Sequence, residues 1–168
     1  STDKTLTIAQ KYNTKIFHNP LVLAEPGVDL GFNKAQGDFC VILAADNILG
    51  SSDWLEKMVK PFADKDVFIS YPKQCPAPSK DFWINKYLNV FTDPVNHFIY
   101  GCAANTRTFS KIYPIIKRAK DYVIYKFTPL NHPMVALAQG TTIRKNYQRP
   151  ANYKYDDIIE HRCIFSYT

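Results

Sequence analysis

Asp46 occupies the position from which the sequence most clearly predicts chemistry. Residues 37–49, GDFCVILAADNIL, begin with a turn signal, continue as an apolar run over residues 39–45, and then reach Asp46 and Asn47. Such a run is typical of a strand buried on both faces, and α/β sheets bind ligands at the carboxyl ends of their strands. A carboxylate there can hold a divalent cation, which in turn can bind a diphosphate. The residues leave open the alternative that Asp46 and Asn47 form a turn or cap the next helix.

The other polar candidates stand near the end of the sequence. Asp156 and Asp157 are adjacent, and His161 follows them by four positions. The histidine could complete a metal site, although a lone histidine is more often structural, and the acidic pair is also typical of a helix N-terminus. Arg144 and Lys145 could contact phosphate or simply face solvent. Residue types and spacing alone therefore leave both a site and an ordinary surface open here.

The elements that would position these residues follow from the apolar pattern. Helices are predicted over residues 1–12, 27–36 and 54–62, the last capped within residues 50–53, and strands over residues 15–18, 39–45 and 66–71. This alternation predicts a Rossmann-type α/β/α sandwich with a mostly parallel central sheet. Beyond Tyr71 the pattern predicts helices over residues 82–91 and 108–120, the second interrupted at Pro114, and strands over residues 97–103, 122–127, 134–138 and 141–145.

Composition limits the class of protein and its partners. The 168 residues are 46% hydrophobic and 21% charged, which predicts one folded domain. The net charge of +6 favours anionic partners such as nucleotide diphosphates or a phospholipid surface. Because the basic residues are scattered rather than clustered in a block, we expect no nucleic-acid partner.

Cysteine usage and the sequence ends predict a location. The four cysteines form no CxxC pair, so neither a zinc site nor a dithiol redox site is indicated. No apolar run approaches the roughly 20 residues of a membrane span, and the sequence begins with the polar STDKT rather than a secretory signal. We therefore expect a cytoplasmic protein, with the cytoplasmic face of a membrane as a compatible place.

Three segments together resemble the nucleotide-sugar domain of glycosyltransferase family 2. They are STDKTLTIAQKY at residues 1–12, GFNKAQGDFCVILAADNIL at residues 31–49, and DWLEKMVKPF at residues 53–62. The second segment carries ADN where the family has its acidic DxD motif. Further on, GTTIR at residues 140–144 and the acidic pair at residues 156–157 resemble the family's Gly-plus-basic element and its catalytic acids.

The resemblance implies a GT-A fold, a nucleoside-diphosphate sugar donor such as a UDP- or GDP-sugar, a divalent Mg²⁺ or Mn²⁺ ion, and transfer with inversion. Asp46 matches the acid that binds the metal. Asp157 matches the general base, and Asp156 takes the place of the neighbouring Glu. The remaining candidates are Ala45, Asn47, Gly140 and Arg144 for the donor and His161 for the metal. The acceptor would be the hydroxyl of a glycan or lipid, or a lipid phosphate, as in glycan or cell-envelope synthesis.

The chain departs from the family in three ways. Ala44 stands where DxD has its first acid, the family's first strand would precede Ser1, and the sequence stops at Thr168, where members of the family usually continue. The QxxRW signature is also absent. We expect a partial domain, with residues 1–71 as the nucleotide-sugar half and residues 72–168 as the acceptor half. Two alternatives stay open: a catalytically silent nucleotide-binding module of the same fold, and a nucleotidyltransferase-like enzyme. The latter class usually carries a Gly-rich phosphate loop near its N-terminus. The oligomeric state is open.

Overall fold

The computed structural model describes residues 3–45, 47–73, 79–91, 94–127 and 139–146. The chain forms two compact units, residues 1–36 and residues 37–168. The predicted strand over residues 134–138 lies outside the described residues, as do Asp46, Asp156, Asp157 and His161.

The first unit contains two helices, α1 (Thr5–Gln10) and α2 (Ala24–Lys34), and both were predicted. Helix α2 begins three residues earlier than predicted because Pro26 falls in its first turn, where a missing N–H is tolerated. The strand predicted over residues 15–18 is wrong, since residues 14–19 have no regular structure. No other strand is described in this unit, so these residues have no pairing partner within it.

The described part of the second unit contains three helices and five strands. The helices are α3 (Trp54–Val59), α4 (Trp83–Phe91) and α5 (Pro94–Tyr100), with 3-10 helices at Lys60–Ala63, Gly101–Ala104 and Thr106–Lys111. The strands are β1 (Phe39–Leu43), β2 (Ile69–Ser70), β3 (Ile115–Arg118), β4 (Val123–Tyr125) and β5 (Gln139–Arg144).

Strand β5 forms the centre of a three-stranded sheet with the order β1–β5–β2, and it runs antiparallel to both neighbours. Thr142 lies opposite Val41 on one side and opposite Ser70 on the other. The predicted parallel pairing does not occur among the described residues. Strands β1 and β2 do run in the same direction, but β5, which comes from much later in the sequence, separates them.

Helix α3 and the 3-10 helix after it cover one face of this sheet. Trp54, Met58 and Phe62 recur every four residues, so their side chains lie along one side of the helical segment. The sulfur of Met58 lies 4.0 Å from the hydroxyl of Ser70, and the ring of Phe62 lies 4.6 Å from that of Phe39. The opposite face carries buried side chains from all three strands: Cys40, Ile42, Ile69, Thr141 and Ile143. In β1 only Cys40 and Ile42 are buried, whereas Phe39 and Val41 are half-buried and Leu43 is exposed, so the predicted burial of this strand on both faces is wrong.

The region after residue 80 is mostly helical at first. The strand predicted over residues 97–103 is wrong, because Pro94 begins helix α5, and a proline in the first turn favours a helix. The helix predicted over residues 108–120 is also wrong. This region instead contains the 3-10 helix Thr106–Lys111, which is capped by the side chain of Asn105. Strand β3 follows after Pro114. None of the described helices combines the length and apolarity needed to cross a bilayer.

An aromatic cluster forms a second core near the β3–β4 hairpin. Phe109 and Tyr113 are buried and meet edge to face, with ring centres 5.2 Å apart. Tyr71, Tyr125 and Phe127 pack around them. Because this site is apolar, burial raises the pKa of the Tyr113 phenol to about 12.

Candidate functional site

The turn that follows β1 is closed by Asn47. The backbone N–H of Ala44 donates to Oδ1 of Asn47 at 3.3 Å, and the backbone N–H of Asn47 donates to the carbonyl of Ala44 at 3.1 Å. Ala45 and Asn47 are exposed, and Ala44 is half-buried. The amide of Asn47 therefore bonds back to the residue that directly follows β1.

Gly140 lies beside this turn at a β-bulge. Ile42 pairs with Thr141 and Leu43 pairs with Gln139, so Gly140 is an extra residue between two consecutive pairs. Its φ of +92° is in the region that glycine adopts most readily. The bulge thus explains why a glycine stands here, at the edge of the sheet where β1 ends.

The indole of Trp54 lies directly on Gly140. A Cβ added to Gly140 would stand 2.6 Å from Cζ2 and 3.0 Å from Cη2 of Trp54, and 3.5 Å from Cγ of Pro72, which follows β2. Carbon atoms in contact lie 3.5–4.0 Å apart, so only a glycine allows the indole this position. The structure therefore brings together Gly140, Trp54 and Pro72 at the end of the sheet where β1 ends.

Arg144 stands at the other end of β5, four residues from Gly140 or about 13 Å along a strand. Its Nε donates to the carbonyl of Val67 at 2.7 Å, and its Nη2 donates to the carbonyls of Phe62 and Asp64. The guanidinium also lies over the rings of Phe39 and Phe62. The structure thus does not bring Arg144 to the edge that carries Gly140. The guanidinium holds the chain segment between α3 and β2.

Asp53 begins helix α3 but does not cap it with its side chain, contrary to the sequence prediction. Its carboxylate instead accepts from the hydroxyl of Ser51 and lies 2.8 Å from the ammonium of Lys57. These two hydrogen bonds, chiefly that from Lys57, lower the pKa of Asp53 below its usual value. The segment between β1 and α3 therefore ends in an ion pair on the first turn of the helix.

Two threonine hydroxyls are buried in the centre of the sheet. Thr141 and Thr142 are fully buried, and their Oγ1 atoms have no hydrogen-bond partner among the described residues. No group of three or more His, Cys, Asp or Glu residues in the described ranges could hold a metal ion. The predicted metal ligands and acids at residues 46, 156, 157 and 161 lie outside those ranges, so their roles stay predictions.

Sequence reasoning did not single out Trp54 as part of this edge. Its helical spacing with Met58 and Phe62 predicts a buried position but not a contact with residue 140. The one available signal is an isolated glycine in a strand pattern, which often marks a bulge or the close approach of another group.

Comparison with protein families identifies the chain. The sequence profile of Glycosyl transferase family 2 matches residues 1–134. The matched segment includes β1, α3 and the turn over residues 44–47, and it ends before β5. Comparisons with curated proteins and with solved structures gave no match. With four fifths of its length matched, the chain belongs to glycosyltransferase family 2, a family of sugar-transferring enzymes with the GT-A α/β fold.

Proposed function

We propose that the chain is an inverting glycosyltransferase domain that moves a sugar from a UDP- or GDP-sugar to an acceptor. The acceptor would be a hydroxyl of a glycan or lipid, or a lipid phosphate. The observation that carries the proposal is the family match over residues 1–134, which includes β1 and the turn after it. In α/β sheets this is the place where ligands bind.

The donor would bind at the exposed turn that Asn47 closes. A carboxylate at Asp46, flanked by the small Ala45, suits a Mg²⁺ or Mn²⁺ ion, because Mg²⁺ takes one or two carboxylates and keeps several waters. An ion held there would neutralise the charge of the leaving diphosphate. Trp54, which is half-buried and lies on Gly140, would offer the face of its indole for a ring of the donor to stack on.

Asp157 would accept the proton of the attacking hydroxyl, which is typically worth about 10²–10⁴-fold in rate. Asp156 would flank it, and His161 would serve as a further metal ligand. We assign Arg144 a positioning role rather than a contact with the donor, since its donors face the carbonyls of Val67 and Asp64.

The finer organisation follows the family. Residues 1–71 would form the nucleotide-sugar half and residues 72–168 the acceptor half. Strands β1 and β2 run in the same direction and lie on opposite sides of β5. We propose that they belong to a sheet whose other strands are mostly parallel. A reducing, cytoplasmic setting suits the four cysteines without a CxxC pair.

A catalytically silent nucleotide-binding module of the same fold is the second candidate. Ala44 favours it, because an alanine replaces the first acid of the family's DxD motif and removes one ligand for the ribose or the metal. This candidate predicts nucleotide binding without turnover.

Calorimetry tests the donor site. UDP and GDP are titrated with and without Mn²⁺ into the wild type, Asp46→Ala and Asp38→Ala, the last being an exposed acid just before β1, at the opposite end of that strand. We expect metal-dependent binding that only Asp46→Ala abolishes, and the preferred nucleotide identifies the base. Equal binding by the two variants, or no binding by folded wild type, contradicts the proposed site.

Turnover then separates the two candidates. Release of the nucleoside diphosphate from its sugar is followed for the wild type, Asp157→Asn and Asp156→Asn. A loss of 10²-fold or more in kcat for Asp157→Asn alone supports Asp157 as the base. Nucleotide binding with no turnover in the wild type supports the silent module instead.

A further inference from the structure

Most of the positive charge of the chain lies around the hairpin of β3 and β4. Residues 107–126 contain six Lys or Arg and one Asp, a net charge of +5, whereas the whole chain has +6. The six basic side chains are all exposed, and none of them forms an ion pair with a described residue: Arg107, Lys111, Lys117, Arg118, Lys120 and Lys126. Positive charges that no acid neutralises attract an anionic partner.

The one acid of this segment, in the turn between the two strands, is already paired. The carboxylate of Asp121 lies 2.6 Å from the ammonium of Lys60, which belongs to the 3-10 helix after α3. The hydrogen bond from Lys60 lowers the pKa of Asp121 below its usual value, and the charge of the neighbouring Lys120 lowers it further. Two cations thus stand around one carboxylate, so the turn keeps a positive charge.

The two faces of the hairpin differ. The ring centre of Tyr125 lies 5.9 Å from that of Phe109, so one face of β4 packs on the aromatic cluster. Side chains alternate along a strand, and Lys126 therefore lies on the other face. Lys117 shares that face, because it pairs with Ile124, the residue on the other side of Tyr125. The face turned away from the core thus carries two lysines, and we call the strands, their turn and Lys126 the basic hairpin.

An aliphatic side chain lies among these charges. Ile116 is an extra residue between the pairs formed by Ile115 and Lys117, and it is 64% exposed. A single exposed isoleucine is ordinary on a protein surface. Here it stands directly before Lys117 and Arg118, so the hairpin combines an apolar group with unpaired cations, as the surface of an anionic membrane requires.

We propose that the basic hairpin docks on the surface of an anionic phospholipid membrane. The headgroups would neutralise the lysines of the hairpin, and Ile116 would enter the interface between headgroups and acyl chains. A nucleic acid is a poorer occupant, because the rings of Tyr125 and Phe127 pack on Phe109 instead of being available to stack on bases. A second copy of the chain would bring an equal positive charge. The inference needs neither the donor nor the metal, so it stands or falls apart from the proposed transfer reaction.

Vesicle sedimentation tests the proposal. Wild-type protein is mixed with vesicles of phosphatidylcholine, with and without phosphatidylglycerol, and the bound fraction gives a partition coefficient. We expect binding to the anionic vesicles that weakens in high salt. The double substitution Lys117→Gln with Lys120→Gln should lower partitioning by about 25-fold, since each basic side chain near an anionic surface contributes about fivefold. Ile116→Ser should lower it severalfold.

Two controls separate the hairpin from net charge and from stability. Lys11→Gln with Lys34→Gln removes the same charge from two exposed lysines of the first unit and should leave partitioning nearly unchanged. Asp121→Asn removes the acid of the turn and should strengthen binding by about fivefold. It also breaks the ion pair with Lys60, so an effect through stability would have the opposite sign. Circular dichroism and thermal melting show that every variant is folded.

Three outcomes overturn the proposal. The first is equal partitioning of the wild type to zwitterionic and anionic vesicles, or none to either. The second is an equal effect of the two double substitutions, which would assign binding to net charge alone. The third is a wild type that binds a single-stranded oligonucleotide, but no vesicle, through the lysines of the hairpin, which would assign the basic hairpin to nucleic acid.

Discussion

Gly140 is constrained both by its backbone conformation and by a close side-chain contact. Replacing it by alanine should therefore destabilise the second unit more than replacing a glycine that has only one of these two constraints. Gly140 combines a φ of +92° with an indole that would stand 2.6 Å from an added Cβ. Gly101 has a φ of +52° but no atom within 4 Å of an added Cβ, and Gly31 in α2 likewise has none. These three glycines therefore separate the backbone constraint from the contact.

The magnitude follows from the two constraints. A non-glycine residue with positive φ costs about 1–2 kcal/mol, and forcing an extra methyl against a packed group costs about 1–3 kcal/mol. We expect Gly140→Ala to lower the free energy of unfolding by about 2–5 kcal/mol, which is a large part of the typical 5–15 kcal/mol. Gly101→Ala should cost about 1–2 kcal/mol, and Gly31→Ala should stabilise α2 by up to about 1 kcal/mol.

Urea unfolding followed by circular dichroism measures all three values. Repeating Gly140→Ala in a Trp54→Ala background completes a double-mutant cycle, because the smaller side chain removes the contact and leaves the backbone cost. We expect the substitution at residue 140 to cost about 1–3 kcal/mol less in that background. If Gly140→Ala costs no more than Gly101→Ala, or if the cycle shows no coupling, the contact does not constrain residue 140 and the reasoning is refuted.

Three other residues or pairs give further predictions. Arg144→Lys should lower the free energy of unfolding by about 2–3 kcal/mol in urea, since the single ammonium nitrogen of Lys cannot reproduce the separate positions from which Nε and Nη2 reach the carbonyls of Val67 and Asp64. Unchanged stability with weaker nucleotide binding would show instead that Arg144 contacts the donor. The pKa of Tyr113 is near the usual 10.0 in the unfolded chain and about 12 in the folded chain. Its contribution to the free energy of unfolding is therefore complete below pH 10 and falls by up to about 3 kcal/mol as the pH rises to 12. Urea unfolding of Tyr113→Phe should not show this fall. The ammonium of Lys60 lies 2.6 Å from the carboxylate of Asp121 and lowers its pKa. The pair therefore stabilises the fold above the usual carboxyl pKa, and this stabilisation disappears as the pH falls. Asp121→Asn should lower the urea midpoint at neutral pH in low salt, and should lower it less in acid or in high salt.

The elements that the sequence predicts correctly are those with a local signal. The Trp54–Met58–Phe62 spacing predicts α3, and the apolar run before Asp46 predicts β1. The pairing of the strands has no such signal, because β5 enters the sheet from nearly 100 residues beyond β1 and separates it from β2. The alternation rule assumes that successive strands lie side by side and therefore predicts parallel pairs.

Two errors arose although the sequence holds a signal that corrects them. Pro94 favours a helix start rather than a strand over residues 97–103. Pro114 separates the 3-10 helix from β3, and the alternation Ile115, Lys117 is as good a strand pattern as a helical one. For the candidate site, the sequence left a turn at Asp46 and Asn47 open as one alternative. It did not predict that Trp54 lies on Gly140, since that contact depends on the register of β5.

The Gly-plus-basic element at residues 140–144 contacts helix α3 and the 3-10 helix after it at two places. Trp54 at the start of α3 lies on Gly140, and Phe62, in the 3-10 helix that follows α3, lies under the guanidinium of Arg144 and accepts from it through its carbonyl. The four steps from Gly140 to Arg144 span about 13 Å along the strand, and the eight steps from Trp54 to Phe62 span about 12–13 Å along the helical segment. The strand segment and the helical segment therefore match in length. These two contacts hold both ends of the helical segment from Trp54 to Phe62 against β5. A substitution at Arg144 should thus weaken donor binding only as far as it loosens α3, whereas one at Asp46 should abolish binding in a protein of unchanged stability.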